Sequence, residues 1–119
     1  FVVLFEAKFK RNYVHVRDVS KVFLYGIENY EKMKNEIFNV GLSNANLSKE
    51  ELCQAIQKII PEFVFYEDSL SQDPDKRNYI VSNDKIEARG FKPDWSIEEG
   101  ITELAKGFKM LSNRKYGNI

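Results

Sequence analysis

The spacing of apolar residues predicts three main helices. Apolar positions recur at steps of three and four in residues 19–30, 52–60 and 97–111. Asp18 precedes the first of these stripes, and a Ser-x-x-Glu capping box precedes the other two, at Ser48 and Ser96. We expect Asp18, Ser48 and Ser96 to cap the three helices, and Pro61 to end the second helix.

Short extended segments alternate with these helices. An apolar run or a period of two predicts them in residues 1–16, 37–41, 63–66 and 78–81. A helix of one or two turns is predicted in residues 82–88, with Gly90 as its terminator. Because no repeat or linker divides the sequence, we expect one small mixed α/β domain over residues 1–119.

The charge balance limits the classes of partner. The chain has 18 Lys and Arg residues and 18 Asp and Glu residues, so its formal net charge is zero. Nucleic-acid-binding proteins and polybasic membrane readers use an excess of Lys and Arg, and we expect neither partner. No apolar run approaches the roughly 18 residues that a membrane span needs. We therefore expect a soluble, cytoplasmic protein.

Few residues suit catalysis or metal binding. His15 is the only histidine, and the only cysteine, Cys53, lies on a different predicted element, so we expect no metal site. Cys53 belongs to an apolar stripe and is interpreted as an inert core thiol. We interpret His15 as structural, with a small enzyme that uses His15 as the alternative. The six glycines are scattered and form no phosphate-binding loop.

Two arginines are the candidates for a ligand site. Arg11 lies in the middle of the first extended region, and Arg77 ends a polar loop just before another extended segment. An arginine fork grips a phosphate through two parallel charge-assisted hydrogen bonds, so two convergent arginines suit a diphosphate. The alternative interpretation is that each arginine is a solvated surface charge.

Several stretches of the sequence, taken in order, resemble one protein family. They are Arg-Asn-Tyr-Val-His-Val-Arg-Asp-Val at 11–19, Ile-Phe-Asn-Val-Gly at 37–41, Asp-Lys-Arg-Asn-Tyr at 75–79 with Ser-Asn-Asp-Lys-Ile at 82–86, and Gly-Phe-Lys-Pro-Asp-Trp-Ser-Ile-Glu-Glu-Gly-Ile at 90–101. Together they cover residues 10 to about 108. They are similar to the C-terminal half of extended short-chain dehydrogenases/reductases, the NAD-dependent epimerases and dehydratases that modify nucleotide sugars. Asn12 stands where that family usually has Asp.

The resemblance implies a function for the whole chain. It implies that residues 1–119 are the small substrate-binding lobe, which packs on a Rossmann domain and closes over a nucleotide diphospho-sugar. The family's arginines at the positions of Arg11 and Arg77 contact the nucleotide and diphosphate of the substrate. The resemblance also implies that the parent enzyme uses NAD or NADP and serves polysaccharide biosynthesis. It leaves the oligomeric state open, with a homodimer of the parent among the alternatives. Epimerisation, dehydration and reduction are all compatible with it.

The family's catalytic features are absent from this chain. Its glycine-rich cofactor loop, its catalytic Ser or Thr and its Tyr-x-x-x-Lys pair all precede the matching region, and Tyr30 with Lys34 does not align with that pair. We therefore expect this chain alone to bind no NAD(P) and to catalyse no hydride transfer. We interpret it as the C-terminal part of a longer enzyme. The alternative is a stand-alone truncated paralogue that acts as a non-catalytic binding or oligomerisation module.

Overall fold

Five helices and two small sheets make up the described part of the chain. The computed structural model describes residues 1–68 and 75–111, so much of the polar loop before Arg77 lies outside it. The elements are β1 (Val2–Leu4), β2 (Lys10–Asn12), α1 (Val16–Glu28), α2 (Tyr30–Met33), β3 (Asn46–Ser48), α3 (Lys49–Ile59), β4 (Phe65–Glu67), α4 (Asp84–Glu87) and α5 (Ile97–Met110). The chain is thus a small mixed α/β domain. None of the helices in these two ranges is both long and apolar enough to cross a bilayer.

The strands form two separate pairs. β1 pairs in parallel with β4, and β2 pairs antiparallel with β3. A core cluster of Leu4, Ala7 and Cys53, with Phe63 and Phe65 packed against it, joins the parallel pair to α3. Cys53 is buried, as predicted, and its burial raises the pKa of the thiol.

Both predicted capping boxes are present. At the start of α3, Glu51 N donates to Ser48 Oγ at 3.1 Å, and Ser48 N donates to the Glu51 carboxylate at 2.7 Å. At the start of α5, the same two bonds join Glu99 and Ser96 at 3.2 and 2.8 Å. Each box satisfies two backbone donors that a helix start leaves without a partner. The two helices then pack against each other.

The first helix begins earlier than predicted. Its N-cap is His15, whose Nδ1 accepts a hydrogen bond from Arg17 N at 3.1 Å. Because the imidazole supplies the cap, Asp18 lies inside the first turn, and the prediction that Asp18 caps α1 is wrong. The buried Asp18 carboxylate instead accepts hydrogen bonds from Asp94 N and Trp95 N, at 2.8 and 3.2 Å. It ties α1 to the segment that leads into α5.

Residues 37–41 form no strand, in contrast to the prediction. An apolar run becomes a buried strand only where a neighbouring strand takes up its backbone hydrogen bonds. Within residues 1–68 and 75–111, no strand pairs with this segment. One backbone group of the segment, the carbonyl of Ile37, instead accepts a hydrogen bond from the side chain of Lys85, at 2.8 Å from Nζ. Ile37 itself is 87% exposed.

The other predicted elements are shorter than expected. The extended region predicted at 1–16 contains the three-residue strands β1 and β2, the region predicted at 63–66 overlaps β4, and residues 78–81 form no strand. The helix predicted at 82–88 is the single turn of α4. Gly90 follows it with φ of +98°, the left-handed conformation that suits glycine at a helix end.

Apolar side chains on the outward faces of α1 and α5 are exposed. Among the described residues, 17 large apolar side chains are exposed, whereas seven apolar side chains are buried. On α1, Phe23 and Ile27 are 70% and 73% exposed, and on α5, Leu104 and Phe108 are 62% and 74% exposed. Part of the apolar stripe predicted on each helix is therefore not covered by any of the described residues.

Replacing Asp18 with alanine should lower the free energy of unfolding by roughly 2–4 kcal/mol, because two backbone donors lose their buried acceptor. Urea denaturation followed by circular dichroism measures this change. Asp94→Ala is the matched control, since the Asp94 carboxylate pairs with Lys21 at the surface, and it should cost less than about 1 kcal/mol. Equal losses in the two variants would contradict the role assigned to Asp18.

Candidate anion-binding site

Arg11 is fixed by its strand and by an aromatic ring. It occupies the centre of β2, opposite Leu47 of β3. Its guanidinium carbon lies 5.2 Å from the centroid of the Tyr79 ring, and Nη1 donates to Lys10 O at 2.9 Å. Only 15% of the side chain is exposed. The strand and the stacked ring together hold the guanidinium in one orientation.

A cross-strand pair of asparagines attaches the segment that carries Arg77 to this sheet. Asn12 and Asn46 face each other in the β2–β3 register, and Asn12 Nδ2 donates to Asn46 Oδ1 at 3.1 Å. The Asn46 amide also accepts from Val81 N at 2.8 Å and donates to Val81 O at 2.9 Å. One side-chain amide thus satisfies both backbone groups of Val81, as a neighbouring strand would. We call Asn12 and Asn46 the asparagine bridge.

Asn12 also holds the loop before β3. Its amide donates to Leu42 O at 2.8 Å and accepts from Leu42 N at 3.0 Å. An ionised aspartate, the residue usual at this position in the family that the motifs resemble, has no donor for that carbonyl. Asparagine therefore suits this contact.

Backbone contacts extend the attachment toward Arg77. Tyr79 N donates to Lys10 O at 3.3 Å. In return, Lys10 N donates to Asn78 Oδ1 at 2.9 Å. These bonds bring the backbone just after Arg77 next to β2, although the two segments are far apart in the sequence.

Both candidate arginines meet at one carboxylate, that of Asp75. Arg77 donates to it from Nε at 2.7 Å and from Nη2 at 2.6 Å, a two-pronged contact. Arg11 Nη2 lies 3.3 Å from Asp75 Oδ1. The two guanidinium groups therefore share a single anion, and we call Arg11 and Arg77 the arginine pair.

The charges at this site stabilise the ionised form of Asp75. Hydrogen bonds from the side chain and backbone of Arg77, with the positive charges of Arg77 and Arg11, hold the pKa of the Asp75 carboxyl well below its ordinary value. The same hydrogen bond raises the pKa of Arg77. The Arg77 and Asp75 side chains are 71% and 39% exposed. An external anion can therefore reach Arg77 and Asp75 without any change in the core.

His15 is held between α1 and α5. Its Nδ1 caps α1, its Nε2 lies 3.0 Å from the Glu103 carboxylate, and its ring stacks on Trp95 with centroids 4.5 Å apart. Both ring nitrogens thus have partners that fix the helix geometry. These contacts support the structural interpretation of His15.

Two clefts lie on other parts of the surface. One of about 650 Å³ borders α5 at Trp95 and Glu103, and one of about 400 Å³ lies between Leu52 and Ile101. Neither cleft is lined by Arg11 or Arg77. The described ranges contain no group of three His, Cys, Asp or Glu side chains placed to hold a metal ion.

The described residues contain no glycine-rich strand-to-helix turn of the kind that holds a nicotinamide dinucleotide. Such a cofactor binds where a strand passes through a glycine-rich turn into a helix N-terminus. The three long helices instead begin at His15, Ser48 and Ser96, whose side chains occupy the helix ends. We therefore assign no hydride-transfer step to these residues.

Sequence reasoning found the two arginines but not the residues that bring them together. Asp75 stands two positions before Arg77, and its carboxylate accepts from Arg77 N at 3.1 Å, a local turn contact typical of aspartate. That spacing is visible in the sequence. The asparagine bridge depends on the β2–β3 register, which the sequence alone does not reveal.

A comparison of the sequence with models of known protein families finds no match. The resemblance to extended short-chain dehydrogenases/reductases therefore rests on the quoted motifs.

Replacing Arg77 with alanine should raise the pKa of the Asp75 carboxyl toward its ordinary value of 3.8, because the main stabilisation of the charged form is lost. Carbon-13 NMR of the side-chain carboxyl groups during an acid titration measures this pKa. In the unmodified protein, the contribution of Asp75 to stability should be complete above pH 3.8 and should be lost as the pH falls through its lower folded-state pKa.

Arg89→Ala is the control for this titration. It removes the same charge from a guanidinium that pairs with Glu36, so the Asp75 midpoint should not move. A midpoint at the ordinary value in the unmodified protein would show that the Arg77–Asp75 contact does not persist in solution.

Proposed function

We propose that this chain is the substrate-binding lobe of a nucleotide-sugar epimerase, dehydratase or reductase of the extended short-chain dehydrogenase/reductase type. In this proposal Arg11 and Arg77 hold the diphosphate of the sugar nucleotide. The observation that carries it is the convergence of both guanidinium groups on one carboxylate. Each arginine comes from a separate motif of the resemblance, and the fold brings the two motifs to one place.

A diphosphate suits the arginine pair better than the carboxylate does. Asp75 has two oxygens, and its Oδ1 serves both Arg77 Nε and Arg11 Nη2. A diphosphate has more oxygens and more negative charge, so each guanidinium fork can engage oxygens of its own. Bidentate, charge-assisted contacts of this kind fix the orientation of a ligand as well as its position.

The contribution of this lobe to the reaction is positioning. In the proposed enzyme, NAD or NADP belongs to an N-terminal Rossmann domain, and the nicotinamide exchanges a hydride with the sugar. The arginine pair holds the diphosphate, and the sugar then faces the cofactor in a fixed geometry. Positioning of this kind converts an encounter into an intramolecular step and lowers the barrier by several kcal/mol.

The outward faces of α1 and α5 support a covering partner domain. Phe23 and Ile27 on α1, and Leu104 and Phe108 on α5, are each more than 60% exposed, and large apolar side chains left exposed along a helix face mark interaction surfaces. Full burial of one such side chain contributes about 1.5–3 kcal/mol. We assign both helix faces to contacts with the Rossmann domain of the same enzyme.

Replacing Arg11 or Arg77 with alanine should weaken the binding of inorganic pyrophosphate to the purified chain by about tenfold or more. A hydrogen bond to a charged group contributes roughly 1.5–3 kcal/mol, and about 1.4 kcal/mol corresponds to a factor of ten. Isothermal titration calorimetry at constant ionic strength measures the affinity. UDP, dTDP, GDP and CDP, titrated in the same way, would identify the preferred base.

Arg89→Ala serves as the charge-matched control, because its guanidinium pairs with Glu36. It should change the pyrophosphate affinity by less than about twofold, since exposed charges at a distance are screened by salt. An Arg11→Ala variant with unchanged affinity would remove the basis of the proposal.

Replacing Phe23 and Ile27 together with glutamine should reduce the binding of a hydrophobic fluorescent dye to the isolated chain by at least about half, because both side chains are exposed. Ile80→Gln is the control, since Ile80 is also exposed but lies outside α1 and α5. Gel filtration of the same samples reports self-association. An isolated chain that is monodisperse and binds no dye would favour the stand-alone module over a lobe that lacks its partner domain.

A further inference from the structure

Asp75 occupies the position that the proposed diphosphate needs. Its carboxylate takes the Nε and Nη2 donors of Arg77 at 2.7 and 2.6 Å, and it lies 3.3 Å from Arg11 Nη2. These are the donors with which an arginine fork engages a phosphate. A diphosphate and the Asp75 carboxylate therefore cannot use the same fork at the same time.

We propose that Asp75 is an internal competitor for the anion site, which holds the arginine pair together and offsets one of its two positive charges until a diphosphate displaces it. This inference rests on the proposed function, because it concerns the same two arginines. It goes beyond that function by assigning Asp75 a regulatory role in the affinity of the site.

The surroundings of Asp75 permit this exchange. Its side chain is 39% exposed and that of Arg77 is 71% exposed, whereas only 15% of Arg11 is exposed. Arg11 is held by the stacked ring of Tyr79 and by Lys10 O. Arg11 therefore stays fixed during the exchange, whereas Arg77 is exposed to the incoming anion. The carboxylate can leave both arginines without any change in β2.

An internal competitor has a defined effect on affinity. The apparent dissociation constant equals the intrinsic constant divided by the fraction of molecules whose site is open. The ion pair between Asp75 and the arginine pair is exposed to solvent, so it is weak enough to open often. It is still strong enough to reduce the fraction of molecules whose anion site is open. Removing the carboxylate should therefore make pyrophosphate bind about three- to tenfold more tightly.

A different role for Asp75 predicts the opposite sign. If the carboxylate served to orient Arg77 for the ligand, its removal would free the exposed side chain and weaken pyrophosphate binding. The direction of the change in affinity thus separates competition from positioning.

The test is calorimetric titration of pyrophosphate into the unmodified chain and into Asp75→Asn, Asp75→Ser, Arg77→Ala and the double variant Asp75→Asn/Arg77→Ala. Asp94→Asn is the matched control, since it removes one carboxylate charge from a residue that pairs with Lys21. Circular dichroism confirms that each variant is folded, and the serine variant provides a second replacement that lacks the carboxylate. Ionic strength is kept constant throughout.

We expect both Asp75 variants to bind about three- to tenfold more tightly, Asp94→Asn to bind within about twofold of the unmodified chain, and the gain to vanish in the double variant. Unchanged or weaker binding by both Asp75 variants, with binding that still depends on Arg77, would overturn the competitor role and leave the proposed function intact. If neither the unmodified chain nor the Asp75 variants bind pyrophosphate, or if Arg77→Ala has no effect in either background, both proposals fail.

Discussion

The hydrogen bonds of the asparagine bridge decide where the two arginines lie relative to each other. Asn12 and Asn46 link β2 to β3 and then to Val81, which pairs with no strand within residues 1–68 and 75–111. Each neutral hydrogen bond contributes only about 0.5–1.5 kcal/mol, but a buried amide without its partner costs more than it gained. The attachment is therefore specific, because another register would leave several polar groups unpaired. Tyr79 and the arginine pair take their positions from it.

The apolar surface is divided between a small core and two uncovered helix faces. The parallel strand pair and α3 enclose Leu4, Ala7 and Cys53, whereas the stripes on α1 and α5 end in exposed side chains. Ile37 is likewise an exposed apolar side chain, in a segment whose sequence predicts a strand but which forms none. The proposed partner domain would cover these apolar side chains on the helices and would leave the anion site open to solvent.

Local signals were predictable from the sequence, and signals that depend on tertiary contacts were not. The capping boxes at Ser48 and Ser96 lie within four consecutive residues, so their geometry follows from the helix itself. The position of Asp18 before an apolar stripe predicts a third cap, but its carboxylate accepts hydrogen bonds from the backbone of Asp94 and Trp95, which are distant in the sequence. The imidazole of His15 caps the helix instead. The chemistry and motifs of both arginines are visible in the sequence, whereas the role of Asp75 depends on the fold, because its partners come from two segments.

The attachment of the segment that follows Arg77 to β2 would link the proposed ligand binding to folding. Its contacts are a few hydrogen bonds near the surface, of the kind that opens locally before a domain unfolds. An anion held by both arginines would act as a reversible cross-link between two distant parts of the chain. It would oppose that opening and add its own binding free energy to the stability of the closed arrangement.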